Sequence, residues 1–215
     1  FLIDWYFVDR TLITNRKYYP APSSNISNDC LAQVVTSSPI ALWPDIMQGY
    51  VRILLEAKKY VYIESPYFLP TDQILFAMRT AALTGVDVRL IIPKKTDSKI
   101  VQWASRSYIS EILEAGIRVY LYTKLLVCDD IISTCGSTNV DFRSFENNFE
   151  SNIFFYQQEM ALRMKEVFLN DMELCEEKNI AFNYGHNATV KGYRKINLFF
   201  IRLWESLTRL LSPLL

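Results

Sequence analysis

The sequence predicts an α/β fold with a mixed, largely parallel β-sheet and helices on both faces. Between residues 30 and 176, short apolar runs rich in Val, Ile and Leu alternate with segments whose apolar residues recur at helical spacing. Gaps of about 10 to 18 residues separate the predicted strands, a length that suits crossover connections containing a helix. Several of these runs are apolar throughout, as strands covered on both faces are.

Composition limits the class of protein. Half of the 215 residues are hydrophobic and 14% are aromatic, which is typical of a folded chain with one sizeable core. The 23 basic and 23 acidic residues balance, so the net charge gives no reason to expect a nucleic-acid partner. The four cysteines form no CxxC pair, which favours reduced thiols on the cytoplasmic side.

Targeting segments are not evident. The sequence shows no secretory signal and no apolar run of the roughly 18 to 20 residues that a membrane-spanning helix needs. Because the first residue is Phe, we expect the chain to be part of a longer protein.

Turn-forming residues delimit the first predicted elements. The aromatic run at residues 1–9 fits a helix or an edge strand, and residues 20–29 are predicted to form a linker that ends at a domain boundary. A strand follows at residues 30–36. Pro44 favours a helix start, because proline fits the first helical turn. A short β-rich run then predicts a strand at residues 60–63.

Caps and glycines delimit the later elements. Thr71 or Asp72 caps a predicted helix that Gly85 ends, and Gly116 ends a second helix that begins at Ser98. The remaining predictions are strands at residues 86–93, 117–122, 125–128, 131–135 and 151–156 and a helix at residues 159–175. The third and fourth of these strands are predicted to form a hairpin.

Polar residues cluster in the segment KLLVCDDIISTCGSTNVDFRSFENNFE, which starts at Lys124. Lys124 begins a strand, and Asp129 follows after four intervening residues. Ser137 and Asn139 follow a glycine at a strand end, where backbone and hydroxyl donors meet anions in α/β proteins. Glu150 lies among asparagines directly before an apolar strand. The pattern indicates a site for an anionic group.

This segment resembles the second catalytic motif of the phospholipase D superfamily, in which HxKxxxxD is followed by a Gly-Ser and Asn sequence. The flanking residues resemble the cardiolipin synthase branch of bacteria. The resemblance implies two halves, each with one motif, that meet at a pseudo-two-fold axis and use no metal and no cofactor. One motif His attacks phosphorus and forms a phospho-histidine, and the other protonates the leaving group.

The resemblance assigns a role to each matching residue. Lys124 is the phosphate-binding cation, and Ser137 and Asn139 are polar ligands of the phosphoryl oxygens. Glu150 matches the carboxylate that holds the motif His in the required tautomer. Asp129 is the motif Asp, which in the family mainly makes structural ion pairs.

The motif His is missing. Tyr122 stands two residues before Lys124, where the His belongs. One reading is that a loop carrying the His is omitted here, because two predicted strands abut without turn residues. The other reading is a real deletion, and a phenol with a pKa of about 10 is a poor nucleophile in that position. His186, the single His of the chain, lies far downstream in a polar segment and is predicted to be a solvent-exposed loop residue.

Two further segments have alternative readings. Tyr67 and Phe68 lie between two prolines, which favours a packed turn, whereas the resemblance implies a loop lining the substrate. The predicted amphipathic helix at residues 195–211 either docks on its own core, lies in the headgroup layer of a membrane, or binds a partner.

The resemblance therefore implies a phosphatidyltransferase that condenses two phosphatidylglycerols to cardiolipin and glycerol. It divides the chain into the end of a first half with a linker, the second catalytic half, and a tail with an amphipathic helix, at residues 1–29, 30–176 and 177–215. The expected partners are a phospholipid, a membrane surface, and either the other half or a second copy of the chain. The expected location is the cytoplasmic membrane, peripheral or anchored through N-terminal segments absent here. A nuclease or other phosphodiesterase on the same scaffold, and an inactive phospholipid-binding module, are the alternatives.

Overall fold

A computed structural model describes residues 2–21, 30–93, 98–121, 125–175, 177, 204, 207–210 and 213. The α-helices are α1 Leu2–Asp9, α2 Asp45–Glu56, α3 Asp72–Leu83, α4 Lys99–Glu114 and α5 Gln158–Glu173. The strands are β1 Ala32–Ser37, β2 Tyr60–Glu64, β3 Phe68–Leu69, β4 Asp87–Ile92, β5 Arg118–Leu121, β6 Leu125–Cys128, β7 Ile132–Gly136, β8 Val140–Asp141 and β9 Glu150–Phe155. Over the described ranges, no helix is both long enough and apolar enough to span a bilayer.

Strands β1, β9, β7, β6, β2, β4 and β5 form one sheet in that order. The prediction of an α/β fold with a mixed sheet is confirmed, but "largely parallel" is wrong. Strands β2, β4 and β5 pair in parallel, whereas the four pairings from β1 to β2 are antiparallel. Crossover helices join β1 to β2, β2 to β4 and β4 to β5, but β9, β7 and β6 lie between β1 and β2 in the sheet. Of these, β6 and β7 are joined by the predicted tight hairpin, which makes their pairing antiparallel.

Helices cover both faces of the sheet, as predicted. Side chains of α2, α3 and α4 pack on one face against strand residues such as Ile63, Leu90 and Leu126. Phe168 of α5 packs on the other face with Tyr62 and Val127. Each central strand therefore contributes apolar side chains to two cores, which explains why these runs lack polar alternation.

The local signals for helix ends are also confirmed. Thr71 is the N-cap of α3, and its hydroxyl accepts a hydrogen bond from the Ile74 N–H at 3.4 Å. Gly85 and Gly116 follow α3 and α4 with φ of 94° and 90°, a conformation that favours glycine.

The two ends of the chain are described in part. Residues 2–9 form helix α1, so the first segment is a helix and not an edge strand. Most of the predicted linker lies outside the described residues. Of the predicted helix at 195–211, residues 204 and 207–210 are described and are helical. The Trp204 ring lies 6.2 Å from that of Trp103, and Arg209 forms a 2.9 Å ion pair with Glu111. These contacts place the described part of the tail against α4, as expected for a helix that docks on its own core.

Candidate active site at the sheet edge

One edge of the sheet collects the polar ends of several strands. Glu64 at the end of β2 lies opposite Leu125 at the start of β6, and Gly136 at the end of β7 lies opposite Asn152. Parallel strands β2, β4 and β5 all end at this edge, which is where open α/β sheets bind ligands. Of the predicted residues, Lys124 and Tyr122 lie outside the described ranges, as does His186.

Ser137 and Glu150 are in direct contact at this edge. The Ser137 hydroxyl donates a hydrogen bond to Glu150 Oε2 and accepts one from the Ser151 N–H at 3.0 Å. Asn148 Nδ2 donates to the other carboxylate oxygen, Oε1, at 3.2 Å. Ser137 is exposed, whereas Glu150 is only 9% exposed. The exposed hydroxyl of Ser137 is thus oriented by a hydrogen bond to the buried carboxylate of Glu150.

Gly136 is required for this contact. A Cβ atom at Gly136 would overlap the Ser151 carbonyl oxygen and the Asn152 side chain. Only glycine therefore lets the end of β7 approach β9 closely enough for Ser137 to reach Glu150.

Asn152 fixes the loop that carries the polar residues. Its Oδ1 accepts from the Thr138 N–H at 3.3 Å, and its Nδ2 donates to Thr134 Oγ1 at 3.3 Å and to the Tyr50 hydroxyl at 3.4 Å. Asn152 is 1% exposed, so the loop is bound to the core by a buried amide. Asn139 directly follows Thr138 in this loop. Its Oδ1 is buried and has no hydrogen-bond partner within the described structure.

Ser65 joins a second loop to this one. Its hydroxyl accepts from the Val140 N–H at 2.8 Å and donates to the Tyr67 carbonyl at 2.6 Å. Strands β3 and β8 then pair in parallel, which brings the Tyr67 loop beside Asn139. Of the two aromatic residues predicted to line the substrate, Tyr67 borders a cavity, whereas Phe68 is 1% exposed and packs edge-on against Tyr108.

The cavity beside these loops measures about 390 Å³. Its lining residues are Tyr67, Leu69, Ser98, Val101, Asn139, Asp141, Arg143 and Asn148. Burial raises the pKa of the Asp141 carboxyl group, and hydrogen bonds from Ser144 oppose this rise. The lining thus combines amides, a carboxyl group and a guanidinium.

Asp129 lies at the opposite edge of the sheet. Its carboxylate accepts hydrogen bonds from the backbone N–H groups of Lys58, Lys59 and Tyr60 at 2.7, 2.9 and 2.7 Å. It therefore fixes the β6–β7 turn to the connection between α2 and β2. This is a structural role, as the resemblance implies for the motif Asp, but it uses backbone donors where ion pairs were expected.

Glu64 was not among the residues predicted for the site. Its side chain is 5% exposed, and Oε1 has no hydrogen-bond partner in the part of the chain that the structure describes. Burial, and to a lesser extent the charge of Asp171, raises the pKa of this carboxyl group from 4.5 to about 7. The available signal was a carboxylate directly after the apolar run of β2.

Comparison with protein families matches residues 50–172 to the family described as cardiolipin synthase, phospholipase D-like domain. Cardiolipin synthases of Clostridium perfringens strain SM101 and Alkalihalophilus pseudofirmus are each 37% identical to the whole of this chain. The chain covers 45% and 42% of their lengths, so it spans about half of these curated relatives. The first alignment runs over 225 residues against 215 here, so that relative carries residues without a counterpart in this chain.

Solved structures share the fold. The phospholipase D family member Nuc of Salmonella typhimurium matches with a TM-score of 0.59 at 18% identity, covering 70% of this chain and 99% of Nuc. The phosphatidylserine synthase of Haemophilus influenzae Rd KW20 matches with a TM-score of 0.67 at 14% identity, covering 91% of this chain and 50% of that protein. At these identities the matches show a common fold, which forms a whole chain in one protein and half a chain in the other.

Proposed function

The chain belongs to the cardiolipin synthase family with a phospholipase D-like domain, and from this premise we propose that it is the second catalytic half of a phosphatidyltransferase. The reaction condenses two phosphatidylglycerols to cardiolipin and glycerol. The observation that carries the proposal is the contact between Ser137 and Glu150 beside Asn139, at the ligand-binding edge of the sheet. Leu125, which follows Lys124 in the sequence, begins β6 at the same edge.

Phosphatidyl transfer takes place in two steps, and atoms balance across them. A His attacks phosphorus of the first phosphatidylglycerol, the bond from phosphorus to the glycerol oxygen breaks, and an acid protonates the departing glycerol. A hydroxyl of the second phosphatidylglycerol then attacks, the phosphorus–nitrogen bond breaks, and the proton of that hydroxyl returns to the acid. No net proton is consumed.

Each site residue has a part in these steps. Lys124 and Asn139 stabilise the charge on the phosphoryl oxygens. Ser137 donates to Glu150 without substrate, and we infer that it turns to the phosphoryl oxygen when substrate binds. Glu150 is then free to accept from the imidazole of the motif His and to fix its tautomer.

The motif His belongs, in this proposal, to a loop between Tyr122 and Lys124 that this chain lacks. Support comes from the absence of turn-forming residues around the junction, and the alignment of 225 residues with the Clostridium perfringens relative allows for such a loop. The second motif comes from a preceding half or from a second copy of the chain. Because the substrate is a membrane lipid, we propose that the protein works at a membrane surface, peripherally or anchored through other segments.

The test uses the full-length protein and vesicles of phosphatidylglycerol. We expect cardiolipin and glycerol in equal amounts, and Lys124→Ala should slow glycerol release by about 10²- to 10³-fold, because it removes a charge from the transition state. The matched control is Lys58→Ala, an exposed lysine at the opposite edge of the sheet, which should leave the rate unchanged. The proposal is wrong if no glycerol is released, or if Lys124→Ala behaves like the control. Cleavage of DNA in place of lipid would indicate a nuclease.

A further inference from the structure

The 390 Å³ cavity borders the candidate site at two asparagines. Asn139 borders the cavity and follows Ser137 in the same loop. Asn148 also borders it and donates a hydrogen bond to Glu150 at 3.2 Å. A molecule in the cavity would therefore lie beside the phosphoryl group that the proposed function places at Ser137 and Asn139.

The size of the cavity suits a small polar group. Its volume is near the lower end of ligand pockets, which range from roughly 300 to 1,000 Å³, and is about a dozen times the share of one liquid water molecule. Glycerol with an attached phosphate fits this volume. A pair of acyl chains does not, and it would leave the polar side chains of the lining without hydrogen-bond partners.

The chemistry of the lining suits neighbouring hydroxyl groups. Asp141 supplies an acceptor, Arg143 supplies donors, and the amides of Asn139 and Asn148 supply both. A vicinal diol presents donors and acceptors together, so it can pair with such a lining, whereas a trimethylammonium group cannot.

We propose that this cavity is the subsite for the headgroup of the acceptor lipid, and that it holds the glycerol of the second phosphatidylglycerol with its terminal hydroxyl toward phosphorus. This inference rests on the proposed function. Attack by that hydroxyl gives cardiolipin, whereas attack by water gives phosphatidic acid, and in both cases the attacking oxygen passes its proton to the same acid. The cavity thus selects transfer over hydrolysis by placing a polyol where water would otherwise react.

The test changes the cavity without changing the phosphoryl site. Val101→Met in the full-length protein extends a flexible side chain into the cavity, and Ile100→Met on the same helix is the matched control, because Ile100 is 44% exposed and does not line the cavity. On phosphatidylglycerol vesicles we expect the ratio of cardiolipin to phosphatidic acid to fall about tenfold for Val101→Met, with glycerol release reduced less than about threefold. Ile100→Met should keep the ratio of the unaltered protein.

A second variant distinguishes loss of the subsite from misfolding. Tyr67→Phe keeps the volume of the side chain but removes one hydroxyl from the lining, so it should lower the same ratio by a smaller factor. The inference is overturned if both variants keep the unaltered product ratio, or if cardiolipin and phosphatidic acid fall in parallel. If the unaltered protein releases no glycerol, or makes phosphatidic acid alone, the proposed function fails as well. If it makes cardiolipin and both variants keep its product ratio, only the acceptor subsite is refuted.

Discussion

Glu64 places a carboxyl group where a negative charge is costly. It is 5% exposed at the end of β2, and burial raises its pKa to about 7. In the unfolded chain the pKa returns to its ordinary value of 4.5, so the folded protein binds the proton more tightly. Stability from Glu64 is therefore fully present below about pH 4.5 and is lost as the pH rises to about 7.

Glu64→Gln should remove this dependence. The amide has the same shape and no charge, so we expect the free energy of unfolding at pH 8 to rise by about 1 to 3 kcal/mol, with little change at pH 5. Urea denaturation at the two pH values measures the effect, with Glu173→Gln, at an exposed position, as the control. Equal effects of Glu64→Gln at pH 5 and pH 8 would contradict the assignment.

Some residues of the candidate site could be selected from the sequence, and others could not. Ser137 and Glu150 are in contact, and their joint action with Lys124 in one pocket stays a prediction that rests on the register of a whole motif. Glu64 could not be found in this way, because a lone Glu at a strand end is usually solvated. Its raised pKa depends on burial and on the charge of Asp171 in α5, which is remote in the sequence.

At the scale of elements, the short pair β3–β8 joins the Tyr67 loop to the Asn139 loop. Each strand has two residues, so the pairing gives few hydrogen bonds of its own. Ser65 adds two more, from the Val140 N–H and to the Tyr67 carbonyl, and it is 2% exposed. This hydroxyl therefore sets the position of the cavity relative to the candidate site.

Ser65→Ala should destabilise the protein by about 1 to 3 kcal/mol, because it leaves the buried Val140 N–H without its acceptor. Ser133→Ala is the matched control, since Ser133 is 0% exposed and its hydroxyl has no hydrogen-bond partner in the described ranges. That variant should be nearly neutral. Urea denaturation compares the two, and equal losses of stability would show that Ser65 is not a special link.

The elements themselves were largely predictable. Caps, glycines and helical periodicity are local, so α3, α4 and the β6–β7 hairpin were predicted within a residue or two. The pair β3–β8 was not, since two residues carry no period and their partners are distant in the sequence. The sheet was predicted to be largely parallel, which was wrong. From the sequence, only segments long enough for a crossover indicate whether two strands run in parallel.

At the scale of the whole molecule, the sheet brings distant segments to one edge. Glu64, Ser137 and Glu150 belong to three strands or their ends, and the order of β9, β7, β6 and β2 makes these strands consecutive neighbours. The sequence predicted that such an edge exists but not the cavity beside it, because the cavity forms only where α4 meets the two loops. Since the chain spans about half of its curated relatives, we propose that this edge faces the other motif.

The most direct test of the site is a double-mutant cycle on Ser137→Ala and Glu150→Gln, measured as glycerol release from phosphatidylglycerol vesicles by the full-length protein. If the hydroxyl and the carboxylate act in one phosphoryl-transfer site, each single variant should slow release by about 10²-fold or more, and the double variant should be no slower than the worse single variant. A shared site is contradicted if the double variant is slowed by the product of the two single factors. It is also contradicted if Glu150→Gln releases glycerol as fast as the unaltered protein.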